Sequence, residues 1–142
     1  MTHVLSLIKE YMRYLLLLLI MAYGYSVEVP EYVMKGILKV ETRSSYLPDG
    51  KIKYVDKRRG LAGERGCFQM TEIAFDQIKK RGEQFWMIES DRYFAEECAK
   101  RYLIWLYTKT ANQDWILTIQ QYNAGPYKKS PVYLEKFLLA CK

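Results

Sequence analysis

Counting back from Glu41, the residues three, four, seven and eight positions earlier are Leu38, Ile37, Met34 and Val33, all apolar. Side chains at those spacings share one face of a helix. The pattern predicts a helix over residues 31–42, entered through Pro30, whose apolar stripe must face a core and ends in a carboxylate. A carboxyl group partly removed from water has its ionised form disfavoured and its pKa raised. It then still holds a proton to donate near neutral pH, the task of a general acid. The ordinary alternative is that Glu41, at the helix end, turns outward to pair with Arg43 or a lysine. At 142 residues and 16.9 kDa there is length for one globular domain, so every such stripe must be buried in the same core. With 50% hydrophobic and 27% charged residues, the chain is suited to packing rather than to disorder.

The rest of the chain reads as further helices around one polar insertion. Residues 43–65 carry the turn signal Leu47-Pro48-Asp49-Gly50 and the alternating piece Lys51-Ile52-Lys53-Tyr54-Val55, which fit a small β-hairpin or irregular loop. Thr71 caps a helix to about Lys80, with Ile73, Ala74, Phe75 and Ile78 inside and Gly82 beyond its end. Ser90 and Asp91 open the longest helix, whose Phe94, Ala95, Cys98, Tyr102 and Trp105 recur every three or four positions opposite Arg92, Glu96 and Lys100. Asn112 or Asp114 begins another, with Trp115, Ile116, Ile119 and Tyr122 on one side and a stop at Asn123-Ala124-Gly125-Pro126. Ser130 and Pro131 provide a cap and first-turn proline for a last helix bearing Val132, Leu134, Phe137 and Leu138. The fold class is mainly α: one helical domain with a small β-hairpin or loop insertion.

At the N-terminus, Lys9 and Arg13 precede an unbroken apolar block from Leu15 to Ala22, and Ala22-Tyr23-Gly24 is a small-residue step before polar Ser26 and Glu28. That layout is a secretory signal, with cleavage after Gly24. Arg13 and Glu28 bracket only 14 positions, short of the ~20 a spanning helix needs. Residues 1–24 are therefore expected to be a signal peptide or a retained signal anchor, and residues 25–142 the domain. The protein is then exported, periplasmic or anchored in the inner membrane facing the cell wall. Without residues 1–24 there remain 20 basic and 15 acidic residues, a net charge of +5 that favours an anionic partner without choosing one. Lys57-Arg58-Arg59 and Lys79-Lys80-Arg81 read as solvated faces, so nucleic acid is not an expected partner. The only histidine is His3, inside the segment to be removed, which excludes Ser-His-Asp and Cys-His catalysis. Cys67, Cys98 and Cys141 contain no C-x-x-C pair and form no four-ligand zinc site. Neither metal nor cofactor is expected. In an oxidising compartment the three cysteines allow one pair and leave one thiol over, and the sequence does not say which two would pair.

Two further runs have a chemical reading. In Gly63-Glu64-Arg65-Gly66-Cys67-Phe68-Gln69-Met70-Thr71, glycines three apart permit positive φ or close backbone approach, and the amide of Gln69 stands just before a helix cap. Such a loop can line a groove with donors and acceptors for a polyhydroxylated ligand. As plain structure it is a turn, and Gln120-Gln121-Tyr122-Asn123-Ala124-Gly125-Pro126 is a helix stop.

Taken with Glu41, the order and spacing of these runs resemble the catalytic domain of lytic transglycosylases, a branch of the lysozyme-like α+β fold that cleaves bacterial peptidoglycan. Glu41-Thr42-Arg43-Ser44 resembles the family's E-S-x motif, residues 63–70 its G-x-x-G-x-x-Q-hydrophobic block, and residues 122–125 its A-Y-N-x-G block. The step Ala99-x-x-Tyr102-Leu103 is similar to the family's third helix. Thr42 replaces the usual serine and Gln121 the usual alanine.

The resemblance implies a single catalytic acid, Glu41, with Gln69, Tyr122 and Asn123 in the cleft wall and Thr42, Ser44, Phe68 and Met70 as further substrate contacts. Tyr122 is equally suited to the core with its hydroxyl satisfied. The implied partner is the peptidoglycan glycan strand. A membrane, through the N-terminal apolar segment, and components of a phage or secretion machine are further candidates. Two other functions fit the same residues. One is a lysozyme-type hydrolase in which Asp56 or Glu64 activates water. The other is a non-catalytic wall-binding component that has kept the groove.

Overall fold

The computed structural model describes residues 6, 8–15, 26–53 and 59–142. Residues 8–15 are helical and exposed, whereas the apolar block beyond Leu15 and the step at Ala22-Tyr23-Gly24 lie outside the described residues, as do Tyr54, Val55 and Asp56. Among the described residues no helix is long and apolar enough to cross a membrane.

From residue 26 onward the fold is mainly helical. Helix α1 (Glu31–Thr42) buries Val33, Met34, Ile37 and Leu38 and stops where Arg43 turns left-handed, φ +57°, with its N–H on the Lys39 carbonyl. Tyr46 and Ile52 then pair as an antiparallel bridge across the turn at residues 47–50, where Gly50 takes φ +79°. The hairpin is a bridge and not a pair of extended strands, and β structure among the described residues is limited to such isolated bridges.

Helix α2 (Glu72–Ile78) is capped by Thr71, whose hydroxyl accepts the Ala74 N–H at 3.2 Å. It ends before Lys80 because Arg101 takes the Ile78 carbonyl at 3.0 Å while its guanidinium pairs with Glu83 at 2.9 Å. Ile73 is 78% exposed, contrary to the apolar pattern: two turns present one inward face, and Ala74 and Phe75 fill it. A single turn, α3 (Met87–Ser90), precedes α4 (Arg92–Lys109), the 18-residue helix at the centre. Asp91 caps α4 by accepting from the N–H groups of Tyr93 and Phe94 at 2.9 and 3.1 Å. Ala95, Cys98, Ala99, Tyr102, Leu103 and Leu106 are buried where α4 meets α2, α3 and α5.

Helices α5 (Trp115–Ala124) and α6 (Pro131–Ala140) follow the sequence pattern in part. Asp114 caps α5, but its buried residues are Thr118, Ile119, Gln120 and Gln121, and Ile116 is exposed. The carbonyl of Gln121 accepts from the Thr110 hydroxyl and its amide donates to the Thr110 backbone carbonyl at 3.3 Å, tying the end of α4 to α5. Ile119 is buried and Trp115 and Tyr122 pack against the core as the pattern predicts, and buried Gln121 shares that inward side with them. Gln121→Ala is expected to lower unfolding free energy by ~1–3 kcal/mol, because it removes a buried side chain and takes the amide donor from the Thr110 backbone carbonyl, while the Thr110 hydroxyl keeps the Leu106 carbonyl at 3.2 Å. Urea denaturation measures it, and a loss near zero would mean that water satisfies Thr110. In α6, Tyr133 and Phe137 face inward and Leu134 packs against the core while Val132 and Leu138 are exposed, and the Ser130 hydroxyl donates to Asn123 instead of capping the helix. Helix α6 packs on α1 and α5, and the buried apolar side chains of α1 to α6 share one core.

Candidate active site

Glu41 stands one residue from the end of α1, partly buried, with its Oε1 accepting a hydrogen bond from the Tyr133 hydroxyl at 2.6 Å. The outward-turned alternative does not describe it. Burial raises the Glu41 pKa above its ordinary value of 4.5, the Tyr133 hydrogen bond opposes that rise, the nearby charge of Glu64 adds to it, and Lys136 offsets a little. Tyr133 itself is held neutral, its pKa driven up first by burial and then by the Glu41 charge. It is therefore a standing donor. With Oε1 occupied by Tyr133, Oε2 is the oxygen left to carry a transferable proton.

The loop at residues 59–70 is brought to this carboxyl by ties to three helices. Arg65 and Met70 exchange backbone hydrogen bonds at 2.9 and 3.0 Å, which closes the turn around Gly66. Gly66 has φ +75°, and a Cβ there would lie 2.5 Å from Ile88 Cγ2 of α3, so only glycine lets the loop seat. Arg59 reaches the Glu89 carboxylate at 2.8 Å, and Arg65 stands 3.8 Å from it. The carbonyl of Cys67 accepts from the Thr42 hydroxyl at 3.0 Å, and that of Phe68 from the Tyr122 hydroxyl at 2.8 Å.

These bonds revise several expected roles. The Thr42 hydroxyl stands between the Cys67 carbonyl at 3.0 Å and the Leu38 carbonyl of its own helix at 3.2 Å, and that of Tyr122 donates to Phe68, so both are directed to backbone carbonyls. Phe68 and Met70 are buried in the core and do not line a groove. Ser44 is also buried and belongs with Tyr32, Lys35, Gly36 and Lys39 in a hollow of about 290 Å³. Those α1 residues lie on the helix face opposite Glu41, which puts Ser44 outside the site.

Gln69 is half-buried at φ +47° and donates from its amide to the Gly66 carbonyl at 2.9 Å. Its Oε1 and the Glu64 Oε2 converge on Gly60, where a Cβ would come within 3.2 and 2.0 Å of them respectively. Glu64 Oε2 also accepts from the Ala62 N–H at 3.0 Å. Asn123 is exposed at the end of α5, and its Oδ1 accepts from the Ser130 hydroxyl at 3.2 Å. The fold therefore gathers Glu41, Glu64, Tyr122 and Tyr133, places Gln69 beside Glu64, and ties Asn123 to the start of the helix that carries Tyr133. Tyr133 escaped the sequence pattern because Val132 and Leu134 on either side of it suggested a different inward face. Its i, i+4 relation to Phe137 and a hydroxyl needing a partner on that face were the available signals.

A larger hollow of about 760 Å³ lies elsewhere, lined among others by Glu28, Met34, Tyr46, Glu96 and Lys100. Volume is the weaker guide to a site here than the perturbed carboxyl with its fixed donor. The three cysteines are free thiols, Cys67 and Cys98 buried and Cys141 exposed, so the pair that an oxidising compartment would allow is not present in this structure. Burial raises the Cys98 thiol to about 11, which leaves it unreactive at neutral pH.

Tyr133→Phe removes a donor that favours ionised Glu41, so the Glu41 pKa is expected to rise further above 4.5. Carboxyl-selective NMR titration of both proteins reads the shift, and an unchanged midpoint would mean that the hydrogen bond does not govern this acid.

A scan of protein-family models and searches of curated proteins and of solved structures found no match to this chain.

Proposed function

We propose that the protein is a peptidoglycan lytic transglycosylase of lysozyme-like fold, with Glu41 as its acid and then its base. The observation that carries this reading is the partly buried Glu41 carboxyl, its pKa raised by burial and its Oε1 held by Tyr133. Support also comes from the three-block motif resemblance, because the blocks at residues 41–44, 63–70 and 122–125 converge in space through Thr42, Tyr122 and the loop carbonyls.

In this mechanism the Glu41 proton passes to the oxygen bridging N-acetylmuramic acid and N-acetylglucosamine as the C1–O bond breaks. The substrate's acetamido group stabilises the positive charge that develops at C1. Glu41, now ionised and still hydrogen-bonded by Tyr133, takes the proton of the muramoyl 6-hydroxyl. That oxygen bonds to C1 and closes a 1,6-anhydro ring. The proton given in the first step is recovered in the second, and no water is consumed. Gln69 and Asn123, with polar side chains near the loop and the α5 end, orient the strand.

A second reading has one specific observation in its favour: Glu64 lies near enough for its charge to raise the Glu41 pKa. Two carboxylates flanking a glycosidic bond are the usual equipment of hydrolases. Glu64 would then activate water, and the products would carry a reducible end. Mass spectrometry of digested sacculi separates the two, since anhydro products support the transglycosylase and water-added products the hydrolase. Export to the wall, with residues 1–24 as signal or anchor, belongs to the same proposal and rests on the charge and leucine pattern at the N-terminus.

A further inference from the structure

The connection from α5 to α6 contains an aromatic residue in a conformation that aromatic residues avoid. Tyr127 has φ +63° and is 78% exposed. For a bulky side chain a left-handed backbone is strained, and such strain persists only where the surroundings impose it. Here they do. Gly125 at φ +93° starts the turn, and the Lys128 N–H returns to the Gly125 carbonyl at 3.2 Å. Ser130 then closes the loop with two bonds back to α5, its N–H to Gln120 Oε1 and its hydroxyl to Asn123 Oδ1, each at 3.2 Å. The ring at the apex is thus carried on a turn fixed at both ends. Burial of the ring does not account for the strain, because little of the ring is buried.

The place of this turn is specific. It leaves the residue expected to touch sugar, Asn123, and re-enters the helix turn whose Tyr133 holds Glu41. Three residues of chain span at most ~11 Å, so Tyr127 cannot be far from Ser130 and the first turn of α6. Lys128 and Lys129 beside it are exposed. A rigid, exposed aromatic face next to two cations suits a pyranose whose C–H face stacks on the ring and whose neighbouring substituents carry carboxylates.

We infer that Tyr127 is a sugar-stacking platform beyond the bond-cleaving centre, binding an anionic glycan strand and held in place at the expense of backbone strain. The inference rests on the reading of the protein as a peptidoglycan enzyme and adds a specificity-determining residue to it.

The test compares full-length wild type, Tyr127→Gly and Tyr127→Trp by co-sedimentation with purified sacculi, thermal melting, and kcat and KM for muropeptide release. Glycine adopts positive φ without a Cβ penalty, so Tyr127→Gly is expected to melt no lower than wild type. Its binding to sacculi should weaken about tenfold, the size of one lost stacking contact. KM should rise by a similar factor with kcat nearly kept, and Tyr127→Trp should bind like wild type. Wild-type binding by Tyr127→Gly would overturn the inference, as would a lower melting temperature in that variant, which would make Tyr127 a packing residue. If wild type itself releases no muropeptides, the assignment of Glu41 fails, and the sedimentation comparison still decides whether Tyr127 binds glycan.

Discussion

Glu41→Gln is expected to fold, to bind sacculi, and to release muropeptides at least ~10³-fold more slowly than wild type, toward the upper end for loss of one general acid. The amide fills the same space and can still accept the Tyr133 hydrogen bond, but it has no proton to give and no charge with which to take one back. Both halves of the proposed reaction fail together. A second consequence concerns stability and has a definite sign. Folding raises the Glu41 pKa above 4.5, so the native state holds this proton more tightly than the unfolded chain does. The stability from that proton is fully present below the unfolded value and is lost as pH climbs through the folded one. Wild type should therefore lose stability relative to Glu41→Gln between pH 4.5 and neutrality, and the amide variant should melt higher at pH 7. Thermal melts of both proteins from pH 4 to pH 7 check the trend. Normal turnover by Glu41→Gln would remove Glu41 from the chemistry. A melting difference of opposite sign would mean that Glu41 is stabilised as an anion.

The second large effect is expected at the contact between α1 and α6. Phe137 is 2% exposed and its ring lies against Gly36: a Cβ on that glycine would sit 2.2 Å from Phe137 Cε2 and 2.6 Å from Cζ. Glycine inside a helix costs roughly 1 kcal/mol relative to alanine. Its presence here is explained by the close approach that it allows. Phe137→Ala should destabilise by ~3–5 kcal/mol through lost burial and the cavity left behind. Tyr133 lies one turn earlier on the same helix, so the variant should also loosen the hydrogen bond to Glu41 and lower activity. Gly36→Ala sets a helix-propensity gain against overpacking of ~1–3 kcal/mol, and the buried ring has little room to move, so a net loss is expected. In a Phe137→Leu background, with the ring gone, the same alanine should cost less or become stabilising. A double-mutant cycle by urea denaturation measures this coupling. Independent effects at the two sites would mean that α1 and α6 do not meet through this pair.

Much of the frame was legible along the chain. The apolar stripe of α1, the caps at Thr71, Asp91 and Asp114, the proline that opens α6 and the Gly125 stop all act through neighbours within four or five residues. That is the range over which sequence pattern carries information. Failures began where a residue's environment is set by a distant segment. Arg101 truncates α2 by taking the Ile78 carbonyl, Thr110 draws Gln121 into the core, and the inward face of α6 is rotated away from Val132 and Leu138. The same division runs through the candidate site. Glu41 was visible as an acid at the end of an apolar stripe, but Tyr133, 92 positions later, was not. Thr42 was legible only as a ligand contact, and for Tyr122 the sequence left cleft wall and core equally open, because the carbonyls they serve belong to residues 67 and 68.

By itself, then, the sequence determined five of the helical segments between residues 31 and 140 and most of their caps, and that a carboxylate would end the face of α1 turned toward the core; the short α3 and the early end of α2 were not among them. Those outcomes follow from backbone propensity, capping and periodicity, all of them local. Only the tertiary structure decided that Tyr133 holds Glu41, that Glu64 and Gln69 converge on Gly60, and that Ser44 faces away. Those relations depend on how helices far apart in the chain cross, and the crossing of α1 and α6 depends on the absence of a single Cβ at Gly36.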